Sequence, residues 1–359
     1  MPRGQVTALF LFDIADAIDL DAVNRHVAET ARAPLSTRPA TPPYLQYAHP
    51  PVVIDGSAIG VPDAHGFRVR FKTFDYGVIS VALTRPLPDT WPELLEAGIG
   101  WQESSLLAAD AESLCRQLLD RLAAAVSARR EAFLSEDYLV FTIHPDAEIP
   151  DATRLLATHG RDIAQLLRGE RDRLSDQEHD HVLGHRISYY ETDAVIPTWS
   201  SALVYDTEAG ARGALEILEF ANSQLLEFRY YDHLLDAELA RIYGRLQSTG
   251  WRQTLVGRRY IRAARQVHAF FIDVNELTDK TENALKIAGD VYAARLFGLA
   301  ATRLGLDRWK ANVHEKLKTL DDIYRFAVEH TGMARGEFLE VTVVLLIVLE
   351  IVLLALGVG

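Results

Sequence analysis

The sequence predicts an α+β N-terminal domain followed by a long helical stalk and a single C-terminal transmembrane helix. Three observations predict it. Short runs of β-prone residues recur through the N-terminal part, beginning with Gln5 to Phe12. All 14 prolines lie at or before Pro197. Proline costs about 3 kcal/mol inside a helix, so its absence from residues 198–359 is what consecutive helices require. Finally, Val341 to Gly359 reads VTVVLLIVLEIVLLALGVG, where fourteen residues are Leu, Ile or Val and Glu350 is the one ionisable group. As a helix this run covers roughly 28 Å, about the hydrocarbon thickness of a bilayer. Each aliphatic residue contributes around −0.3 to −0.6 kcal/mol to insertion, against about +2.5 to +3.5 for a central carboxylate. The expected division is a cytoplasmic α+β domain over 1–206, a stalk over 207–336 and a membrane helix over 337–359.

Element by element, Gln5 to Phe12 is a strand, and Asp21 caps a helix through Val27. A connection rich in proline follows, from Pro34 to Pro51, and must be extended or looped. Phe67 to Phe74 alternates as FRVRFKTF, a half-buried strand; Tyr76-Gly77 turns, and Val78 to Leu83 returns as its hairpin partner. Trp91 and Leu94 open a helical zone that runs through Leu106 to Phe133, and Tyr138 to Ile143 is a further strand. Helical spacing returns over Asp151 to Leu167, and Ser175 with Glu178 forms a capping-box pattern for a short helix. One last strand lies within Ile187 to Tyr205.

From Thr207 the apolar positions Leu215, Leu218, Leu225, Leu226 and Leu234 recur at helical spacing. After a break at Thr249-Gly250, a seam of three- and four-residue steps runs from Val267 to Leu299, and Asp307 caps a final helix. Helices of this length with such a seam find partner helices, so a coiled-coil homo-oligomer is expected.

A net charge of −13 excludes nucleic-acid binding by bulk electrostatics. The single cysteine, Cys115, excludes internal disulfides and suits a reducing compartment. Val6 to Phe12 follows Arg3 but is only seven residues long and closed by Asp13, so it is a strand and not a signal sequence. Gly98-Ile99-Gly100 lacks the third glycine of a dinucleotide fingerprint, and no Walker loop or H-E-x-x-H pair occurs. His179, His181 and His185, with Asp180, are the densest metal-ligand candidates, but nothing completes a site, so they read as a solvated segment. Glu227, Asp232, His233 and Asp236 offer acid–base chemistry on paper and read instead as i,i+4 pairs or a solvated helix face. No cofactor and no metal are expected.

Arg258, Arg259, Arg262 and Arg265 share one side of a helix, a stripe fit for an anionic partner. In so acidic a chain the expectation is pairing with neighbouring carboxylates, and nucleic acid is not an expected partner. Glu350 falls near the bilayer midplane, where a lone helix cannot hide a carboxylate. It argues for self-association or for a membrane partner.

Leu339-Glu340, nine further residues and then Glu350 resemble the "LE, hydrophobic stretch, E" signature of the family named after "required for meiotic nuclear division" proteins, here a bacterial-type member. FDYGVISVAL (Phe74 to Leu83) is similar to that family's N-terminal strand, and Tyr324 and Arg335 fit its helical lead-in. The resemblance implies an α+β domain, a stalk, one C-terminal membrane helix, homo-oligomerisation through the Glu340 and Glu350 region, and no enzymatic activity. It also implies membrane scaffolding, the role associated with a mitochondrial member in organelle translation. The expectation is therefore a non-enzymatic scaffold of the inner membrane, whose partners are itself, membrane lipid and a cytoplasmic protein. The alternative is an oligomeric channel or transporter component with Glu350 in or near a pore.

Overall fold

The N-terminal strands assemble into one mixed sheet, and helices cover both of its faces. The computed structural model describes residues 2–30, 49–247, 269–275, 278, 291–323 and 325. The expected membrane helix with Glu340 and Glu350, the stripe Arg258, Arg259, Arg262 and Arg265, the Thr249-Gly250 break and most of the proline-rich connection lie outside the described residues. Among the described residues no helix is long and apolar enough to cross a membrane.

The strands are β1 (Gly4–Asp13), β2 (Ala17–Ile18), β3 (Val52–Asp55), β4 (Arg68–Thr73), β5 (Val78–Pro86), β6 (Val126–Ser127), β7 (Leu134–Ile143), β8 (Ala194–Pro197) and β9 (Ser201–Tyr205). Seven of them form the main sheet in the order β3-β4-β5-β1-β7-β9-β8, and β2 pairs with β6. Neighbours are antiparallel except β7 and β9, whose parallel pairing needs the long crossover between them. β1 is central and buried on both faces from Val6 to Asp13, which explains its nearly unbroken apolar run.

The β4–β5 hairpin turns at Gly77, whose φ is 91°; a Cβ there would lie 1.9 Å from the Ala15 carbonyl oxygen. Only glycine combines that backbone with so close an approach to the end of β1. Where one strand is expected between Ile187 and Tyr205, the chain forms the β8–β9 hairpin. The Thr198 amide donates to the Ser201 carbonyl across a tight turn, 2.7 Å, and Pro197 ends the edge strand, where a missing N–H costs least.

One face of the sheet carries Phe10, Phe12, Phe71, Val81 and Phe141 into an apolar core. It is covered by α1 (Leu20–Thr30), α2 (Trp91–Gln102), α3 (Ser105–Arg121), α4 (Ala152–Arg168) and α5 (Asp176–Gly184). Thr90 and Glu93 make a capping box for α2, while Ser104, Asp151 and Ser175 cap α3, α4 and α5. The Ser104 cap restarts the chain, so the expected continuous helical zone is two helices, and Phe133 lies beyond both. Asp21 is not the cap of α1: Asp19 accepts from the Ala22 amide, 3.0 Å, so Asp21 falls inside the first turn. Gly98 lets α2 approach α4, since a Cβ there would lie 2.2 Å from Leu166 Cδ1.

The C-terminal half is helical: α6 (Glu208–Gln247), α7 (Val291–Leu304) and α8 (306–323). Asp307 does not cap α8. Gly305, at φ 68°, breaks the chain after α7, and its carbonyl accepts from the Arg308 and Trp309 amides at 3.1 and 3.2 Å. The chain divides into two compact units, Met1–Tyr230 with Thr278–Trp309, and Tyr231–Leu277 with Lys310–Gly359. The first unit thus includes the sheet, α6 through Tyr230, and α7, where Phe220 meets Phe297 with ring centroids 5.7 Å apart. In the second unit, Lys316 joins Asp232 and Asp236 at 2.7 and 2.6 Å.

Candidate functional site

Strand alternation turns Lys72 away from the apolar core that Val69 and Phe71 enter. On α6 the positions Glu216, Glu219, Ser223 and Glu227, spaced three, four and four, form one stripe. Residues 213–228 are buried on all sides of that helix. The stripe therefore meets the sheet face in a dry layer, and two charged clusters result.

The first cluster centres on Lys72. Its Nζ donates to Glu216 Oε2 at 2.5 Å and also to Glu219 Oε2, and none of the three side chains is more than 3% exposed. Burial pushes the Glu219 carboxyl up, but the charges of Lys72 and Arg70 and its hydrogen bonds outweigh this and hold it below the ordinary carboxylate range. Cations sit against the carboxylates, as a buried charge requires.

The second cluster lies where the end of β1, the β4–β5 turn and the segment before β7 reach the same helix. Arg130 Nη1 donates to Asp13 Oδ1 at 2.5 Å and to the Ala15 carbonyl, and Nη2 donates to Asp16 Oδ1 at 3.1 Å. Its guanidinium lies over the Tyr230 ring, 3.9 Å from the centroid. The Tyr76 hydroxyl bonds the Ser223 hydroxyl at 2.7 Å, and Gln224 Nε2 donates to it at 3.3 Å. Burial lifts the Tyr76 phenol well above its usual value.

Asp13 is fully buried, and desolvation raises it to about 7, opposed by Arg130 and reinforced by Asp16. Glu227 is raised well above its ordinary range, first by burial and then by the charge of Asp13. Asp13 Oδ2 and Glu227 Oε1 have no hydrogen-bond partner. Chemically, both carboxylates of the first cluster bond Lys72, with Arg70 adding a second positive charge, whereas the second cluster carries more carboxyl than cation and can hold a proton near neutral pH.

The acid–base candidates of the sequence part company. Glu227 belongs to this buried layer, Asp232 and Asp236 hold Lys316, and His233 is exposed. His179 bonds Asp180 at 3.0 Å and His185 bonds the His181 carbonyl at 2.7 Å. Among the described residues no group of three His, Cys, Asp or Glu is placed to hold a metal. Cys115 is buried in α3, and desolvation pushes its thiol far up, which makes it unreactive.

Lys72, Asp13, Arg130 and Tyr76 escape the sequence reading. The one available signal was the face of FRVRFKTF that holds Arg68, Arg70 and Lys72, set beside the VISVAL strand, whose one polar residue is Ser80.

A separate open groove of about 730 Å³ lies beside α4 and α5, lined in part by Thr153, His179, Arg186, Tyr189 and Tyr190. Its two tyrosines are 60% and 68% exposed. Their amides both donate to the Asp193 carboxylate at 2.7 Å, so the turn that presents the rings is held by the chain itself.

A family model described as "Uncharacterized protein MJ0711, N-terminal domain" matches residues 3–212. The uncharacterized protein MJ0711 of Methanocaldococcus jannaschii is 25% identical over 213 residues, which are 59% of this chain. The chain covers 65% of that relative's length, less than two thirds. Neither description carries the meiotic-division name. No solved structure matches the chain.

Proposed function

The chain belongs to the MJ0711 N-terminal domain family, and on that premise we propose that it is a non-enzymatic, homo-oligomeric scaffold anchored in the inner membrane by a helix over 337–359. Its α+β unit faces the cytoplasm and recruits a protein partner. The observation that carries this reading is the apolar run Val341 to Gly359 with its single carboxylate, Glu350. A run of that length inserts, and the carboxylate favours a second helix beside it. The Glu340-to-Glu350 pattern, which resembles the signature of the meiotic-division family, supports the same arrangement.

For recruitment, the exposed aromatics that flank edge strand β8 are the surface a protein partner would use: Tyr189, Tyr190 and, after it, Trp199 at 54% exposure. Tyrosine and tryptophan supply large contact area at low entropic cost and dominate interface hot spots.

Membrane fractionation tests the anchor. The full chain should stay with the membrane through alkaline extraction, and the chain ending at residue 336 should be released. Recovery of both in the soluble fraction would end this reading. Glu350→Leu should leave insertion intact and change oligomer size in detergent, and an unchanged size by light scattering would remove Glu350 from assembly. A second reading, an oligomeric channel, rests on the same carboxylate. It requires ion flux in proteoliposomes that Glu350→Ala abolishes.

A further inference from the structure

The α6 stripe ends in a residue whose situation differs from the rest. Glu227 is 4% exposed, and its Oε1 is without a hydrogen-bond partner, as is Glu219 Oε1. Glu216 and Glu219, however, each bond Lys72 through the other oxygen, whereas among the described residues no ion pair reaches Glu227. Asp13, fully buried at the end of β1, has one oxygen on Arg130 and the other bare. A bare oxygen on a buried carboxylate costs far more than one on a neutral acid, and two carboxyls that feel each other's charge cannot both ionise cheaply. The geometry points to a one-proton site: of the two buried carboxyls Asp13 and Glu227 in the cluster around Arg130, one at a time holds a proton, with Arg130 as the fixed counter-charge for the other.

The surrounding charges agree with that stoichiometry. From the β1–β2 connection Asp16 acts on both carboxyls, and from the β4–β5 turn Asp75 acts on Glu227. The turn also places Tyr76 here, and α6 adds Tyr230 beneath the guanidinium. Among the described residues, four carboxyls thus act on this site against the guanidinium of Arg130. With one proton bound, the Asp13–Glu227–Arg130 set is neutral. Without it, the set carries one net negative charge in a buried layer.

The pair titrates as a unit, so its behaviour belongs to neither residue alone. Proton release sets the end of β1 and α6 against each other. The site is therefore a pH-sensitive latch holding α6, over Ser223 to Tyr230, on the sheet. It is independent of the membrane reading above.

Infrared pH-difference spectra of the full chain, in whatever detergent keeps it dispersed, test the proposal directly. The wild type should show a protonated-carboxyl C=O band that persists above pH 5 and is lost through the neutral range. Asp13→Asn and Glu227→Gln should each abolish that neutral transition, because the remaining carboxyl then ionises against Arg130 without a like-charged neighbour. Glu219→Gln should leave it in place. If either single variant retains the wild-type transition, the proton is not shared and the proposal fails; it fails equally if the wild type shows no protonated carboxyl above pH 5. Should a variant not fold, carboxyl ¹³C labelling of the wild type decides. Labels on Asp and on Glu should each shift the band, and a shift with only one of them would overturn the shared site.

Discussion

Two charged clusters lie under one helix, a few turns apart, and they answer burial in opposite ways. At Lys72 the cation is wholly inside, bonded to both Glu216 and Glu219, and the Glu219 carboxyl is held low by Lys72 and Arg70 against its burial. At Asp13 the cation is Arg130, 15% exposed, and it must serve Asp13 and Asp16 and face Glu227 as well. There burial wins and the carboxyls rise. The lesson is that sharing a layer does not decide whether an acidic group is ionised; the ratio of cation to carboxyl within reach does.

The most forceful way to break this contrast is Lys72→Met. It removes the cation bonded to both Glu216 and Glu219, a class of change that costs about 3–5 kcal/mol. Chemical denaturation at neutral pH should show that loss, and lower pH should soften it as the carboxylates take up protons. A loss no larger than that of an exposed lysine would refute the paired cluster.

The next effect is smaller and has the opposite pH sense. The Asp13 carboxyl is raised from an ordinary 3.8 to about 7, so the folded chain binds the extra proton. Its contribution to stability is full below about pH 4 and is lost as pH rises through about 7. Asp13→Asn should flatten that slope by on the order of 2 kcal/mol, read as a smaller change in unfolding midpoint between pH 5 and pH 8. A slope unchanged from wild type would contradict it.

Outside the layer the effects shrink. Lys316→Gln removes a partly exposed bridge to Asp232 and Asp236 and should cost about 1 kcal/mol. Arg171→Gln breaks a bidentate pair with Glu103 in which both side chains are more than half exposed, and it should leave the melting temperature unchanged. A large effect there would mean that exposure is a poor guide to which pairs matter in this fold.

The same contrast separates what was legible in the sequence from what was not. β1, the β4–β5 hairpin and the Ser175 cap follow from local pattern, because apolar alternation, Tyr76-Gly77 and the Ser-to-Glu spacing each act within a few residues. The clusters depend on partners far along the chain. Lys72 and Glu216 are 144 positions apart, and Asp13 and Arg130 are 117 apart. No periodicity links such residues. Viewed along α6 alone, Glu216, Glu219 and Glu227 look like the polar positions of a solvated helix. Only a second layer over both faces of the sheet turns them inward, and burial of residues 213–228 on all sides follows from that layer. Asp19 and Gly305 replaced Asp21 and Asp307 as helix starts for a milder reason: competing acceptors lie within two residues, and backbone geometry chooses between them.

The opposed behaviour of the two clusters is tested most directly by the unfolding midpoints of Glu219→Gln and Glu227→Gln at pH 5.5 and pH 8. Glu219, held low, stabilises the fold at both values, so its glutamine variant should be less stable than wild type at both. Glu227, held high, is a burden once its proton is gone, so Glu227→Gln should match wild type at pH 5.5 and exceed it at pH 8. Loss of stability at pH 8 in both variants would contradict the distinction between a paired cluster and a proton-holding one.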